Sequence, residues 1–260
     1  CTITPGYRRI GGTRVLATDL SCSVTGYQVS KFVMDETLPF AGRVDMSHND
    51  MPVYRLGEIY LIYAEALAEQ GEAAITQKDL DESVNLLRAR VGMPPMKMAD
   101  ANAKPDPYLL SAEYGYKNVI GENQGLILEI RRERAVELAQ EGFRWDDLMR
   151  WKEGLCINQA MHGMYFPGPG EYDLTGDDVA DICLYVDKKP NSSVKDIVYF
   201  EIGKKEGVIL SEGTKGYIDP HKDVEHVFNE GRDYLYPIPI TERTLNPNLT
   251  QNPGWNDGLN

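Results

Sequence analysis

The sequence predicts an all-α scaffold of helix hairpins with long irregular loops and a few short β-strands. Three observations predict it. Apolar residues recur at helical spacing over 56–67 and 80–91, and glutamates recur every fourth residue over 129–141. Near residue 155 the pattern changes to short β-rich runs broken by Gly, Pro, Asp and Asn. With 260 residues, 42% of them hydrophobic, the chain can bury a sizeable core as one large domain or two small ones.

The first fifty residues read as irregular, with Gly11-Gly12, Gly26 and Pro39 as breakers and a β-like run over 27–34. A helix is predicted from near Asp50, with Pro52 in its first turn, where the missing N–H would be unpaired in any case. Leu56, Ile59, Tyr60, Tyr63, Ala64 and Leu67 make one apolar face, and Gly71 stands where a C-terminal cap belongs. A second helix is predicted from Asp79, with Glu82 completing a capping box, a stripe of Leu80, Val84, Leu87 and Val91, and Gly92 and Pro94 at its end. The two form an antiparallel hairpin over 50–92. A second hairpin covers 123–154, with helices over 123–141 and 143–153. A loop-rich insertion follows over 155–235, with β-like runs at 182–186, 197–202 and 208–210, and then a C-terminal segment over 236–260. Stacked hairpins need about three repeats to close a continuous core. Two therefore predict that part of the scaffold, an N-terminal half, is absent.

Forty acids against 27 bases, a net charge of −13, exclude a nucleic-acid binder, which needs a basic face. Over half of that excess lies in 171–235, where 15 acids meet 8 bases, and its simplest reading is a solvated loop surface. No apolar run is long enough to cross a bilayer as a helix. Four cysteines without a C-x-x-C make neither a disulfide scaffold nor a cysteine zinc site. Cys1 reads as a fragment boundary rather than an acylated first residue, because Ile3, Tyr7 and Val15 look like folded chain.

Glu129, Glu133, Glu137 and Glu141 could in principle supply a glycosidase's acid and base. Such a pair needs two unlike environments, however, and the interleaved Arg131, Arg132, Arg134 and Arg144 make these alike. The reading is an ion-pair network locking the third helix to the fourth, through pairs such as Glu129–Arg132 and Arg134–Glu137. Asp173-Leu-Thr175-Gly-Asp177-Asp178 has oxygen side chains on alternate residues, but it lacks the sixth-position glycine and twelfth-position glutamate of a calcium loop. His221, Asp223, Glu225 and His226 show no zinc spacing. No catalytic residue, metal or cofactor is expected. Fifteen Tyr against six Phe suit half-exposed surfaces, since Tyr carries a polar tip. Tyr7, Tyr114, Tyr116, Tyr165 and Tyr172 lie in Gly- and Pro-rich loops, where aromatic faces could stack on sugar rings.

The stretch Pro52-Val-Tyr-Arg-Leu-Gly-Glu-Ile-Tyr-Leu-Ile-Tyr-Ala-Glu-Ala-Leu67, followed by Leu86-Leu-Arg-Ala-Arg-Val-Gly92, resembles the tetratricopeptide-like segment of the SusD/RagB family of Bacteroidetes outer-membrane lipoproteins. Glu129-Ile-Arg-Arg-Glu-Arg-Ala-Val-Glu-Leu-Ala-Gln-Glu-Gly-Phe-Arg-Trp-Asp-Asp-Leu-Met-Arg-Trp151 is similar to its most recognisable stretch. Tyr234-Leu-Tyr-Pro-Ile-Pro-Ile-Thr-Glu242 with Gln251-Asn-Pro-Gly-Trp255 is similar to its C-terminal signature. The resemblance implies a non-catalytic glycan-binding component of a polysaccharide uptake system on the extracellular face of the outer membrane. It implies a SusC-like TonB-dependent transporter as partner, and a lipid anchor in the missing N-terminal part as the one membrane attachment. Glu137, Arg144, Asp147, Arg150 and Trp151 fall in the shared motif and are expected to be scaffold. The alternatives are a peptide- or protein-binding tetratricopeptide-like scaffold and, behind it, a carboxylate-dependent glycoside hydrolase.

Overall fold

A computed structural model describes residues 3–4, 6–8, 15–21, 23–33, 49–50, 52–112 and 115–258. The chain divides into two units, one of Cys1–Met51 and Ala160–Glu225, the other of Pro52–Gln159 and His226–Asn260. Helix outweighs strand overall, and the described helices longer than one turn all lie in the second unit.

That unit holds α1 (Leu56–Glu69), α2 (Gln77–Asp81), α3 (Val84–Arg90), α4 (Met98–Ala103), α5 (Pro107–Leu110), α6 (Gln124–Glu137), α7 (Arg144–Trp151) and α8 (Ile240–Leu245). Helix α1 packs against α6 and α3, and α4 packs against α6. Helix α1 starts after Arg55, later than the pattern predicts. The Arg55 guanidinium donates to Glu137 Oε1 and Glu141 Oε2 at 2.6 Å and to the Glu137 carbonyl at 2.7 Å, which holds Arg55 extended. The buried face of α1 is the predicted one only in part: Tyr60, Ala64 and Leu67 pack on the core. Gly57, Leu61, Ala64, Glu65 and Ala68 face inward, the glycine and two alanines letting a neighbouring helix approach, while Leu56, Ile59, Ile62 and Tyr63 are exposed.

The second predicted helix is two. Thr76, not Asp79, is the N-cap: its hydroxyl accepts the Asp79 N–H while the Asp79 carboxylate accepts the Thr76 N–H at 2.8 Å. At Ser83 the backbone leaves helical geometry (φ −135°, ψ −94°), which separates α2 from α3. Helices α4 and α5 carry no clear apolar stripe and escape the sequence pattern. Gly125 sets the spacing of α4 on α6, because a Cβ there would run into the Ala101 carbonyl.

The first unit carries the short strands the sequence predicts, and more of them than the β-like runs mark. It contains β1 (Ile3–Thr4), β2 (Gly6–Arg8), β3 (Val15–Ala17), β4 (Gln28–Val29), β5 (Tyr165–Phe166), β6 (Gly170–Tyr172), β7 (Ile182–Tyr185), β8 (Val198–Glu201) and β9 (Gly216–Tyr217). The pairs β1–β4, β2–β3 and β5–β9 are antiparallel, and a three-stranded sheet runs β6–β7–β8 with β7 and β8 parallel. Leu20, Phe166, Ile182, Leu184, Phe200 and Ile218 form a core of their own beneath these strands. Strands β4, β7 and β8 fall inside β-like runs of the sequence, whereas β5, β6 and β9, of two or three residues, are too short for a period-two pattern to stand out.

Candidate functional site

Strands β5 and β9 pair with Tyr165 opposite Tyr217 and Phe166 opposite Gly216. Alternation sends Phe166 and Ile218 into the core and leaves Tyr165 and Tyr217 outside, 49% and 42% exposed. Their ring centroids lie 5.1 Å apart at 67°, and His162 stacks on Tyr217 at 4.9 Å and 24°. His162 Nδ1 lies 3.9 Å from Asp219 Oδ2, a carboxylate at the margin of the stack. The backbone below is fixed: Gly163 donates to Ile218, Met164 to Thr25, and Ile218 to Met164, all within 2.8–2.9 Å. The Tyr217 N–H donates to Ser211 Oγ at 3.0 Å. Gly216, at φ +107°, admits no side chain, since a Cβ would strike that same Ser211 hydroxyl. Tyr217 thus contacts both His162 and Tyr165, the three rings partly solvent-facing on a hydrogen-bonded base. Aromatic contacts of this kind are worth about 0.5–1.5 kcal/mol each. Because the rings are ordered beforehand, a ligand that stacks on them loses little extra to side-chain ordering. The His162 ring nitrogens add hydrogen-bonding groups suited to hydroxyls, while Asp219, 7% exposed, lies buried beside that ring.

Of the tyrosines expected at a binding surface, Tyr165 joins this platform. Tyr172 is half-buried, packs edge-on against Phe166 at 4.9 Å and donates its hydroxyl to the Gly168 carbonyl at 2.5 Å. Tyr116 is 3% exposed: its ring contacts Trp151 at 5.4 Å and its hydroxyl accepts from Arg144 at 2.9 Å, so it presents no free face. Tyr7 sits on β2 opposite Leu16, its side chain outside the described residues, as is Tyr114. Tyr217, His162 and Asp219 were not singled out from sequence. The alternation in Gly216-Tyr217-Ile218-Asp219 is a faint signal for one exposed ring, but the pairing that joins it to Tyr165, 52 positions earlier, leaves no local trace.

The shared-motif residues belong to the helical unit's ionic network, with Asp147 and Trp151 buried and Arg144 and Arg150 exposed. Arg150 grips both Glu65 oxygens at 2.6 and 2.7 Å, and Trp151 Nε1 donates to the same carboxylate at 2.6 Å. Asp147 accepts from Arg134 at 2.8 Å and Arg150 at 3.0 Å. Burial pushes the Glu65 carboxyl up, but the hydrogen bonds from Arg150 and Trp151 outweigh it and hold it below the usual range. Glu133 pairs with Arg88, and Glu137 with Arg55 and Arg90, at 2.6–2.7 Å. The predicted Glu129–Arg132 pair is present at 3.5 Å, but Arg134 turns to Asp147 instead of Glu137. The network therefore ties α6 to α1 and α3 as well as to α7. A helix packed on several neighbours finds its counter-charges across those contacts, which the spacing along one helix does not reveal.

The acidic loop after β6 is organised by its own backbone. Asp173 accepts N–H groups from Thr175, Gly176, Asp177 and Asp178, and Asp181 accepts those of Leu174 and Thr175. Burial alone would raise the Asp173 carboxyl, but these N–H groups hold it below the usual range. Among the described residues no three His, Cys, Asp or Glu side chains are placed to hold a metal ion, and Cys156 and Cys183 are free thiols. No described helix is long and apolar enough to cross a membrane.

A crystal structure of a SusD-like protein from Bacteroides fragilis NCTC 9343 is similar, with a TM-score of 0.56 and 22% identity. The match covers 97% of this chain and 38% of that one, so this chain spans well under half the length of the relative. No curated protein matches. The SusD family profile matches residues 2–255. With nearly its whole length matched, the chain belongs to the SusD family.

Proposed function

We propose that this chain is a non-catalytic glycan-binding component of a SusCD-type outer-membrane polysaccharide uptake system, with the His162–Tyr217–Tyr165 platform as a contact for sugar rings. The pre-ordered, half-exposed ring stack carries this reading. A pyranose presents a C–H face to an aromatic ring and hydroxyls to flanking acceptors, and a polymer that engages several such points gains avidity without any chemistry. The partner is a SusC-like TonB-dependent transporter, and the place of action is the extracellular face of the outer membrane. Membrane attachment is by a lipid anchor on a longer chain of which this is the C-terminal part. The helices α1–α3 and α6–α7 are read as tetratricopeptide-like hairpins of that longer solenoid. What supports this is α1, which is apolar on nearly all sides, as helices buried on every face are.

The exposed face of α1 also favours a second reading, a peptide- or protein-binding scaffold. Hydrolysis is the weakest of the three, because Glu133, Glu137 and Glu141 are all held by arginines. Affinity electrophoresis against a panel of neutral polysaccharides separates these. The glycan reading expects retardation by at least one, weakened about tenfold by Tyr217→Ala, the equivalent of ~1.4 kcal/mol. No binding across the panel would favour the scaffold, and new reducing ends would favour the hydrolase.

A further inference from the structure

We propose a second site in the strand-rich unit, on the loop between β7 and β8, that takes the anionic substituent of an acidic sugar. This rests on the glycan-binding reading above. Outward-facing Tyr185 of β7 and Tyr199 of β8 lie diagonally across the parallel pair, both half-buried, with ring centroids 6.4 Å apart at 72°. The Ser192 N–H donates to the Tyr199 phenol oxygen at 3.1 Å, which folds the loop back over that ring. Lys189 Nζ sits 4.1 Å from the Tyr199 ring centroid. Among the described residues neither Lys189 nor its loop neighbours Lys188 and Lys195 pairs with a carboxylate, and all three are exposed. The loop over 186–197 has three lysines against two aspartates, a net of +1, inside a stretch of net −7. An ammonium parked on an aromatic face is oriented but keeps its N–H donors, so a carboxylate or sulfate can take them while the sugar ring lies against the tyrosines.

The overall charge of −13 does not forbid this. In physiological salt charges are screened over about 8 Å, so a substituent at Lys189 feels the loop more than the rest of the molecule. The test compares oligogalacturonate with its methyl ester, and sulfated with unsulfated dextran oligosaccharides, by titration calorimetry on the whole chain. The acid form of at least one pair should bind about threefold to fivefold tighter, the increment of one exposed charge pair, and the gain should fade with salt. Lys189→Gln should abolish that gain, Lys189→Arg should retain it, and Tyr217→Ala should leave it in place. If neutral sugars bind in a Tyr217-dependent way but acid forms gain nothing, or the gain survives Lys189→Gln, this inference is wrong while the platform stands. If neither form binds and Tyr217→Ala changes nothing with neutral glycans, both fall. Which arm shows the gain identifies carboxylate or sulfate as the group recognised.

Discussion

Glu153 is 1% exposed, and its Oε1 accepts the Asn118 N–H at 2.8 Å with Arg131 Nη1 3.8 Å away. Burial raises its carboxyl above the usual range, and Asn118 and Arg131 recover only part of that cost. Below the unfolded carboxyl's pKa, about 4.3, both states hold the proton and no penalty arises. As pH rises from there to the folded value, the unfolded chain releases the proton first, so stability falls; above both values the full cost remains. Glutamine at this position keeps the acceptor oxygen and removes the charge, while Arg131 retains Glu69 at 2.9 Å. Glu153→Gln is therefore expected to melt higher than the parent at pH 8, with the advantage vanishing near pH 4. Thermal scans at the two values check this, and a variant less stable at pH 8 would show that the Arg131 attraction dominates.

At the scale of elements, the close approach of α4 to α6 depends on the absent side chain at Gly125. Gly125→Ala must push the helices apart and disturb the Asn102 side chain, whose Oδ1 accepts the Leu126 N–H at 2.8 Å. Overpacking of this kind costs about 1–3 kcal/mol, more than alanine's better helix propensity returns, and urea denaturation should show it. The elements also show what a sequence can and cannot disclose. Helices α1, α6 and α7 were legible because their patterns are long, but the inward face of α1 was legible only in part. Choosing it required knowing that Glu65 would meet Arg150 and Trp151 across the fold. One of the platform's three rings was legible, since Tyr165 stands out in a Gly- and Pro-rich segment. Its partners were not, because strand pairing over 52 positions is a property of the folded chain alone. Tyr116 looked equally promising in sequence, and only the positions of Arg144 and Trp151 reveal it as core.

For the molecule as a whole, the outward side of α1 is the feature that invites a physical test. Leu56, Ile59, Ile62 and Tyr63 are each at least two-fifths exposed along one helix, a surface that soluble chains rarely leave bare. The isolated chain should self-associate at high concentration, and Ile59→Glu with Ile62→Lys should make it monomeric without loss of helicity. Sedimentation velocity with circular dichroism reads both, and a parent that is monomeric throughout would remove the need for any cover on that face.

The order in which the two units draw on the chain has a kinetic consequence. The strand-rich unit is assembled from Cys1–Met51 and Ala160–Glu225, so 108 residues of helical chain are synthesised between its two pieces. The hydrogen bond from Met164 to Thr25 closes a loop of 139 positions, whereas the helices α1 to α7 meet within a single uninterrupted stretch. Distant closures are slow, because their chain entropy is lost before any contact rewards it. The β5–β9 pairing itself spans 52 positions, fewer than the 85 between Glu65 and Arg150, so it is the Thr25 bond under that base, and not the pairing of Tyr165 with Tyr217, that waits on the distant closure. The distant closure thus supplies rigidity beneath the stack and not the stack itself.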